Sequence, residues 1–463
     1  MLQLTRRYLR QIDGIFLALC AACSVLSVVT LVSIGHNQLG SINKASVQFI
    51  ASALGILLAL IVSTVDYRAL AHAWPLHAVL AWGMVLPTLL LHNVRLGFLT
   101  VGYDAGGTSN YSWYRVGGMT FQPAELAKIS FVLTLALHLN HVRGRVNKPA
   151  NLLALAVHVL LPVLAIHIQG DDGTALVFLG IGLVMVFAGG ISGWLVAGGL
   201  AAAGGGAALL LKLRPGLLKG YQAKRIFAVL DPENPALADI AYQQNKGAMA
   251  IGTGGLTGTG LWGEHVFVPN SWNDFIFSYL ANAMGFVGAV TVLLLLLGIS
   301  VRILLAALQS TDALGRYLCV GIFAALFWQC IINLGMNLQV LPVIGVTLPF
   351  FSAGGSSVVM VYLCVGLVLA VSRKNRRKKL AVPTVFTAAP RVLEAFEKTG
   401  YAARLKAAGA VTSYICPLMY MNNPLSEKMP VITSSNKLRT YTSARYYTDA
   451  EILEQITKGG TAR

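Results

Sequence analysis

Charge is what this chain has least of. Only 11% of its 463 residues are Asp, Glu, Lys or Arg, against about 25% in a soluble globular protein. Acid is scarcer still: 18 acidic residues stand against 35 basic ones, a formal net charge of +17. Cysteine is sparse, at Cys20, Cys23, Cys319, Cys330, Cys364 and Cys416, and five of these six lie inside apolar runs, where a thiol behaves as a small buried hydrophobe. Cys20 and Cys23 have CxxC spacing, but no second pair accompanies them, so no disulfide framework is implied. With 56% apolar residues, disorder, a collagen-like fibre and a small disulfide scaffold are excluded. What remains is an all-α polytopic membrane protein.

A helix needs about 20 mostly apolar residues to cross the hydrocarbon core. Such runs occupy residues 15–34, 45–65, 74–91, 123–139, 152–168, 174–187, 191–211, 275–305, 318–334 and 356–371. The expected architecture has about ten transmembrane helices, with a long extracellular loop, residues 212–274, between helices 7 and 8. Between helices 9 and 10 the chain carries Pro342, Pro349 and several glycines without any charge. Backbone so broken is tolerated at membrane depth only when buried or lining a cavity, so a re-entrant segment is expected there.

Arg6, Arg7 and Arg10 precede the first run, which reads as a retained signal-anchor helix. A cluster of Arg373, Lys374, Arg376, Arg377, Lys378 and Lys379 follows the last. Basic flanks of this kind belong in the cytoplasm, and an even number of spans puts both termini there. From Arg373 onward the chain holds 16 basic and 6 acidic residues, so +10 of the +17 sits in this end. The expected division is a membrane domain, residues 1–372, and a basic cytoplasmic tail, residues 373–463, facing anionic lipid rather than nucleic acid. Residues 388–408 read as a helix, either amphipathic on the inner leaflet or simply solvated. The last thirty residues are expected to be disordered.

Four stretches place polar groups where a membrane protein should avoid them, and these are its functional candidates. In Gln122-Pro123-Ala124-Glu125-Leu126-Ala127-Lys128, Glu125 and Lys128 are three apart and share a helix face. They read as a structural ion pair, as binders of a charged headgroup, or as both. Gln169-Gly170-Asp171-Asp172-Gly173-Thr174 offers two adjacent carboxylates, a weak divalent-cation candidate because hard cations need more oxygen ligands than this. The glycines of residues 251–260 resemble a phosphate cradle, but no Lys-Ser/Thr follows them; tight turns or close backbone approach account for them equally. Asp274 stands where the long loop meets a long apolar helix. It reads either as an N-terminal cap or, partly desolvated, as a general base. The fourth stretch, residues 333–357, is the re-entrant segment.

Taken in order, these stretches resemble the SEDS (shape, elongation, division and sporulation) family, also called FtsW/RodA/SpoVE, over residues 91–371. Its Trp…Gln-Pro-Ser-Glu-x-x-Lys pattern is matched by Trp113, Gln122, Pro123, Glu125 and Lys128, and its Gln-Pro-Asp-x-Gly-Thr by Gln169, Asp171, Gly173 and Thr174. Arg225-Ile226, Asp231-Pro232, Tyr242-Gln243 and Ile251-Gly252-Thr253-Gly254-Gly255 match the loop elements. Asp274-Phe275-Ile276-Phe277 matches Asp-Phe-Ile-Phe, and residues 341–357 match the Leu-Pro…Gly-Gly-Ser-Ser segment. The chain departs from the pattern at Trp272-Asn273, where His-Thr is usual, at Asn282 and Ala283, where an acidic pair is usual, and at Ser112.

The resemblance implies a peptidoglycan glycosyltransferase of the bacterial cytoplasmic membrane that polymerises lipid II into glycan strands at the outer face, in elongation, division or sporulation. It implies a class B penicillin-binding protein as partner. Asp274 becomes the expected catalytic base. Arg225, Lys246, Trp113, Arg115 and Gln122 become expected substrate-binding residues, with Lys128 a further cation for the leaving group and a divalent cation the only cofactor to consider. A lipid-linked precursor flippase is the transporter alternative. A catalytically weak scaffold recruiting a penicillin-binding protein is the other, suggested by the departures. An ion-coupled secondary transporter ranks last, for want of an inverted repeat.

Overall fold

The computed structural model describes residues 11–104, 110–213, 221–231, 234–377, 382, 384–415 and 431–458. The N-terminal arginines and Cys416, Lys378 and Lys379 lie outside the described residues. The chain divides into two compact units, residues 1–372 and 373–463.

The first unit is mostly helical. It begins with α1 (Gly14–Ile34), a π-turn (Gly35–Leu39), α2 (Asn43–Val62), the short α3 (Tyr67–His72) and α4 (Trp74–Leu90). There follow α5 (Pro123–His141), α6 (Pro149–Ile168), α7 (Asp172–Ala188) and α8 (Gly193–Leu213). The long loop holds α9 (Tyr221–Leu230) and α10 (Ala238–Thr253), and the unit ends in α11 (Ile276–Leu308), α12 (Ala313–Asn337) and α13 (Gly355–Arg377). Six of these helices, α1, α2, α6, α11, α12 and α13, are long and apolar enough to cross a bilayer. Helices α4 and α7 are apolar but only 17 residues long.

Burial is distributed as a bilayer solvent demands. On α6 the exposed positions include Leu153, Val157, Leu161 and Leu164, whereas the interior holds Ser27, Gln48, Asn333 and Asn337 at 0% exposure. Apolar groups outside and hydrogen-bonded amides inside is the pattern of helices associating in lipid. Helix α12 packs on α5, α7 and α11 at once, and small residues permit the close approach. A Cβ added at Gly180 on α7 would lie 2.5 Å from the Trp328 ring. At one end of the bundle two acids tie helices together: Asp13 caps α1 and bonds Arg302 of α11, while Asp312 caps α12 and bonds both Tyr67 and Arg68. All five described cysteines are free, the Cys20/Cys23 pair included.

The expectation of an all-α fold is corrected between α4 and α5. Residues 94–121 form a four-stranded antiparallel meander, β1 (Val94–Leu96), β2 (Leu99–Tyr103), β3 (Trp113–Val116) and β4 (Met119–Phe121). Its strands run only three to five residues, too short for alternation to stand out. The Gly117-Gly118 hairpin, with Gly117 at φ 60°, is the local turn signal.

The glycine-rich stretch turns out to repair a broken helix. Gly285 inside α11 has φ 64° and ψ −163°, which breaks the helical ladder. The carbonyls of Asn282 and Ala283 instead accept from Thr259 and Gly260 at 3.0 and 2.9 Å, while Phe286 and Val287 donate to Gly255 and Leu256 at 2.9 and 3.2 Å. A side chain at Gly258 would run into the carbonyl of Ala283. Close backbone approach at Gly254 and Gly258 and positive φ at Gly255, Gly258 and Gly260 account for these four glycines without a phosphate.

In the second unit, β5 (Val385–Thr387) pairs in parallel with β6 (Val411–Ser413) across α14 (Pro390–Glu397) and α15 (Gly400–Ala407). The expected helix of residues 388–408 is thus two short ones. β7 (Ile432–Thr433) pairs in parallel with β8 (Arg445–Tyr446) across α16 (Asn436–Tyr441), and α17 (Asp449–Lys458) follows. Residues 434–458, expected to lack structure, form part of this arrangement; residues 459–463 lie outside the described residues.

Candidate functional site

Three consecutive carbonyls anchor the loop that ends in Asp274. The carbonyl of Trp272 accepts from the N–H of Ala353 at 2.8 Å, and that of Asn273 from the Ser352 hydroxyl at 2.7 Å. The carbonyl of Asp274 accepts from the side-chain amides of Asn333 and Asn337 at 2.8 and 2.9 Å. The loop is therefore bonded to the end of α12 and to the irregular segment before α13. That segment is itself held: Gln48 of α2 donates to the Phe350 carbonyl at 2.9 Å and accepts from Gly354 N–H, and Ser27 of α1 donates to the Phe351 carbonyl at 2.7 Å. These bonds keep Phe350 at φ 68°, a conformation that a non-glycine residue adopts only under such restraint. Helix α7 starts against the same segment, since a Cβ on Gly173 would stand 2.5 Å from the Ile344 carbonyl.

These elements enclose a cavity of about 480 Å³. Asp274, Asp171, Glu125, Gln122, Trp113 and Lys44 line it, with the serines that open α13. Oδ1 of Asp274 is buried and has no hydrogen-bond partner. Burial, and secondarily the nearby Asp171 carboxylate, push the Asp274 pKa up to about 6 against the opposing charge of Arg225. Asp171 caps α7 through Thr174 N–H at 3.1 Å and accepts from Gln122 and Ser112. Its pKa is raised by burial despite those hydrogen bonds. Behind Glu125, Nζ of Lys128 lies 2.7 Å from Oε1, both side chains buried. A protonatable carboxylate without competing donors, facing a polar cavity, can take a proton from a bound hydroxyl.

Of the residues expected at the site, Asp274, Trp113, Gln122, Glu125 and Asp171 come together around this cavity. Four expected cations do not line it, Lys128 being paired behind Glu125. Arg115 on β3 is exposed and stacks over Tyr103 at 5.0 Å, Lys246 on α10 lies 5.9 Å from the Tyr242 ring, and Arg225 on α9 reaches Asp274 only through its field. Asp172 turns away from Asp171 to pair with His167 at 2.5 Å. Among the described residues no group of three His, Cys, Asp or Glu side chains is placed to hold a metal ion. Lys44 was not foreseen: a single lysine heading an apolar run reads as a flank, yet its ammonium stands 4.9 Å over the Trp272 ring at the cavity. Gln48 lies inside an apolar run and carries no signal of its own in the sequence. Asn333 and Asn337 lie in the fourth polar stretch, where the sequence shows no particular part for either.

The chain is 34% identical over 324 residues to a probable peptidoglycan glycosyltransferase FtsW of a Geobacter species, covering 67% of this chain and 82% of that protein. Among solved structures, a chain of a peptidoglycan synthase complex superposes with a TM-score of 0.63 at 29% identity, covering 79% of this chain and 98% of that one. The rod shape determining protein RodA of Thermus thermophilus superposes with a TM-score of 0.56 at 27% identity, covering 79% and 97%. The profile of the cell cycle protein family FTSW_RODA_SPOVE matches residues 10–377, and the chain, with its fold and its cavity, belongs to that family.

Proposed function

We propose that this protein is a peptidoglycan glycosyltransferase that polymerises lipid II at the outer face of the bacterial cytoplasmic membrane. The observation that carries the reading is the buried, unpartnered Oδ1 of Asp274 at a cavity large enough for a sugar headgroup. Asp274 takes the proton of the acceptor's 4-hydroxyl as that oxygen attacks the anomeric carbon of the donor. The bond from that carbon to the pyrophosphate oxygen breaks, its electron pair leaves with undecaprenyl pyrophosphate, and the configuration inverts. Negative charge grows on the leaving group and calls for a fixed cation. Lys44, at the cavity, takes this part, with Arg225 acting through its field.

The chain crosses the membrane ten times, α4, α5, α7 and α8 joining the six long apolar spans, and both termini face the cytoplasm. The basic residues flanking the first and last spans support this orientation. The likeness to a chain of a peptidoglycan synthase complex supports a class B penicillin-binding protein as partner. A flippase has no need of a carboxylate stripped of donors, and a silent scaffold has no need of three anchored carbonyls behind it.

The test is a glycan-polymerisation assay on lipid II with the purified protein, with and without the partner. Wild type is expected to make polymer and Asp274→Asn none. Polymer of undiminished yield from Asp274→Asn overturns the mechanism.

A further inference from the structure

Asp274 stands just before the first turn of α11, where a carboxylate ordinarily folds back onto the free N–H groups of the helix. Here it does not. The residue at the cap is Phe275, no side chain of the cap bonds the helix, and Oδ1 of Asp274 has no partner. The N–H that a cap would satisfy is that of Ser278, the third helical residue, and it is satisfied from another helix. Oδ1 of Asn337 accepts from Ser278 N–H at 3.1 Å and from the Ser278 hydroxyl at 2.6 Å. The amide's other end is equally committed, donating to the Asp274 carbonyl at 2.9 Å and to Asn333. Asn333, one turn earlier on α12, donates to the same Asp274 carbonyl at 2.8 Å and to the Val346 carbonyl at 2.8 Å. Both asparagines are at 0% exposure, where a donor or acceptor left unmade costs most.

We propose that Asn337, assisted by Asn333, is the positioning residue of the catalytic base: it caps α11 in place of Asp274 and pins the Asp274 carbonyl, so that the carboxylate is left turned into the cavity with no donor to satisfy. This rests on the reading of Asp274 as the base. The amide form is what the task requires, because one side chain must accept from Ser278 and donate to Asp274 at the same time. The charged groups around Asp274 are Asp171, Glu125, Asp104 and Lys44 at the cavity, and Arg225 on α9; Asn337 adds no charge to this set.

Two substitutions separate the two duties. Asn337→Leu removes both at similar size and frees Ser278 N–H to recruit Asp274. Asn337→Asp keeps an acceptor for Ser278 and loses the donors to Asp274, while adding a second acid nearby. In polymerisation assays across pH, Asn337→Leu is expected to lose about 10²-fold in kcat, the scale of a misplaced catalytic group. Its KM for lipid II should stay within about twofold, as for an interaction felt only in the transition state. Its acid limb should move to lower pH, that of Asn337→Asp to higher pH. Folding is checked by thermal melting, and if only Asn337→Asp folds its limb decides. A folded variant with wild-type kcat and acid limb, a loss confined to KM, or failure of both variants to fold overturns the proposal in favour of a structural role. Asp274→Asn is run alongside: polymer from it retires the base itself, whereas wild-type Asn337 variants beside an inactive Asp274→Asn retire only the positioning role.

Discussion

Nζ of Lys128 lies 2.7 Å from Oε1 of Glu125, one turn away on α5, and both side chains are buried. The acid lines the cavity while its counter-ion sits behind it, so the pair lets a carboxylate occupy the wall without an uncompensated charge. Removing one partner of such a pair costs about 3–5 kcal/mol, whereas replacing both by apolar groups of similar volume is often neutral. Lys128→Met should therefore lower the melting temperature sharply, and adding Glu125→Leu should recover most of the loss. Equal melting of the single variant and wild type would show the pair to be dispensable for the fold.

The raised pKa of Asp274 has two consequences of opposite sign. The base must be ionised, so polymerisation should fall as pH drops through about 6. Stability runs the other way. The folded value lies above the unfolded value of about 3.9, so the contribution is full below the unfolded pKa and is lost as pH rises through about 6. At pH 7 the ionised carboxylate costs up to about 3 kcal/mol, an upper figure because part of the side chain faces the open cavity. Asp274→Asn is accordingly expected to be inactive yet to melt higher than wild type at neutral pH, the difference vanishing near pH 4. A destabilised Asp274→Asn at neutral pH would contradict this account.

Gly258 approaches the break in α11 so closely that a side chain would strike the Ala283 carbonyl, and its φ is 83°. Gly258→Ala should cost about 1–3 kcal/mol for the strained backbone alone. It should also loosen the bonds that Thr259 and Gly260 make to α11. Thermal unfolding reads the first effect, and faster amide exchange at Phe286 and Val287 reads the second.

Lys44 is the lysine or arginine that lines the cavity among the described residues. If it steadies the departing pyrophosphate, Lys44→Met should lower kcat by about 10²-fold, the scale of losing one preorganised charge-stabilising donor. Lys44→Arg should keep most of the rate. Wild-type kcat in Lys44→Met would move the duty to Arg225.

Much of the site was legible because its members are spaced along the chain in motifs: Gln122, Glu125 and Lys128 on one helix start, Asp171 before another, Asp274 before a third. The cations were not. Whether an arginine serves a cavity depends on where its strand or helix points it, and Arg115 points to Tyr103 while Lys246 points to Tyr242. The sheet of residues 94–121 was hidden for a related reason, since strands this short are specified by pairing with one another rather than by any pattern within them.

The sequence by itself determined that the chain belongs in a bilayer, where its helices run, and which carboxylate stands at the head of the eighth apolar run, because apolar length and motif spacing are properties of consecutive residues. Whether that carboxylate caps its helix or faces a substrate could not be settled there, since both duties ask for Asp at the same position. The tertiary structure answers the first half: Asn337, 59 residues away along the chain, accepts from the Ser278 N–H. With that N–H taken, Asp274 has no helix left to cap, and its carboxylate stands without a donor in the wall of the cavity.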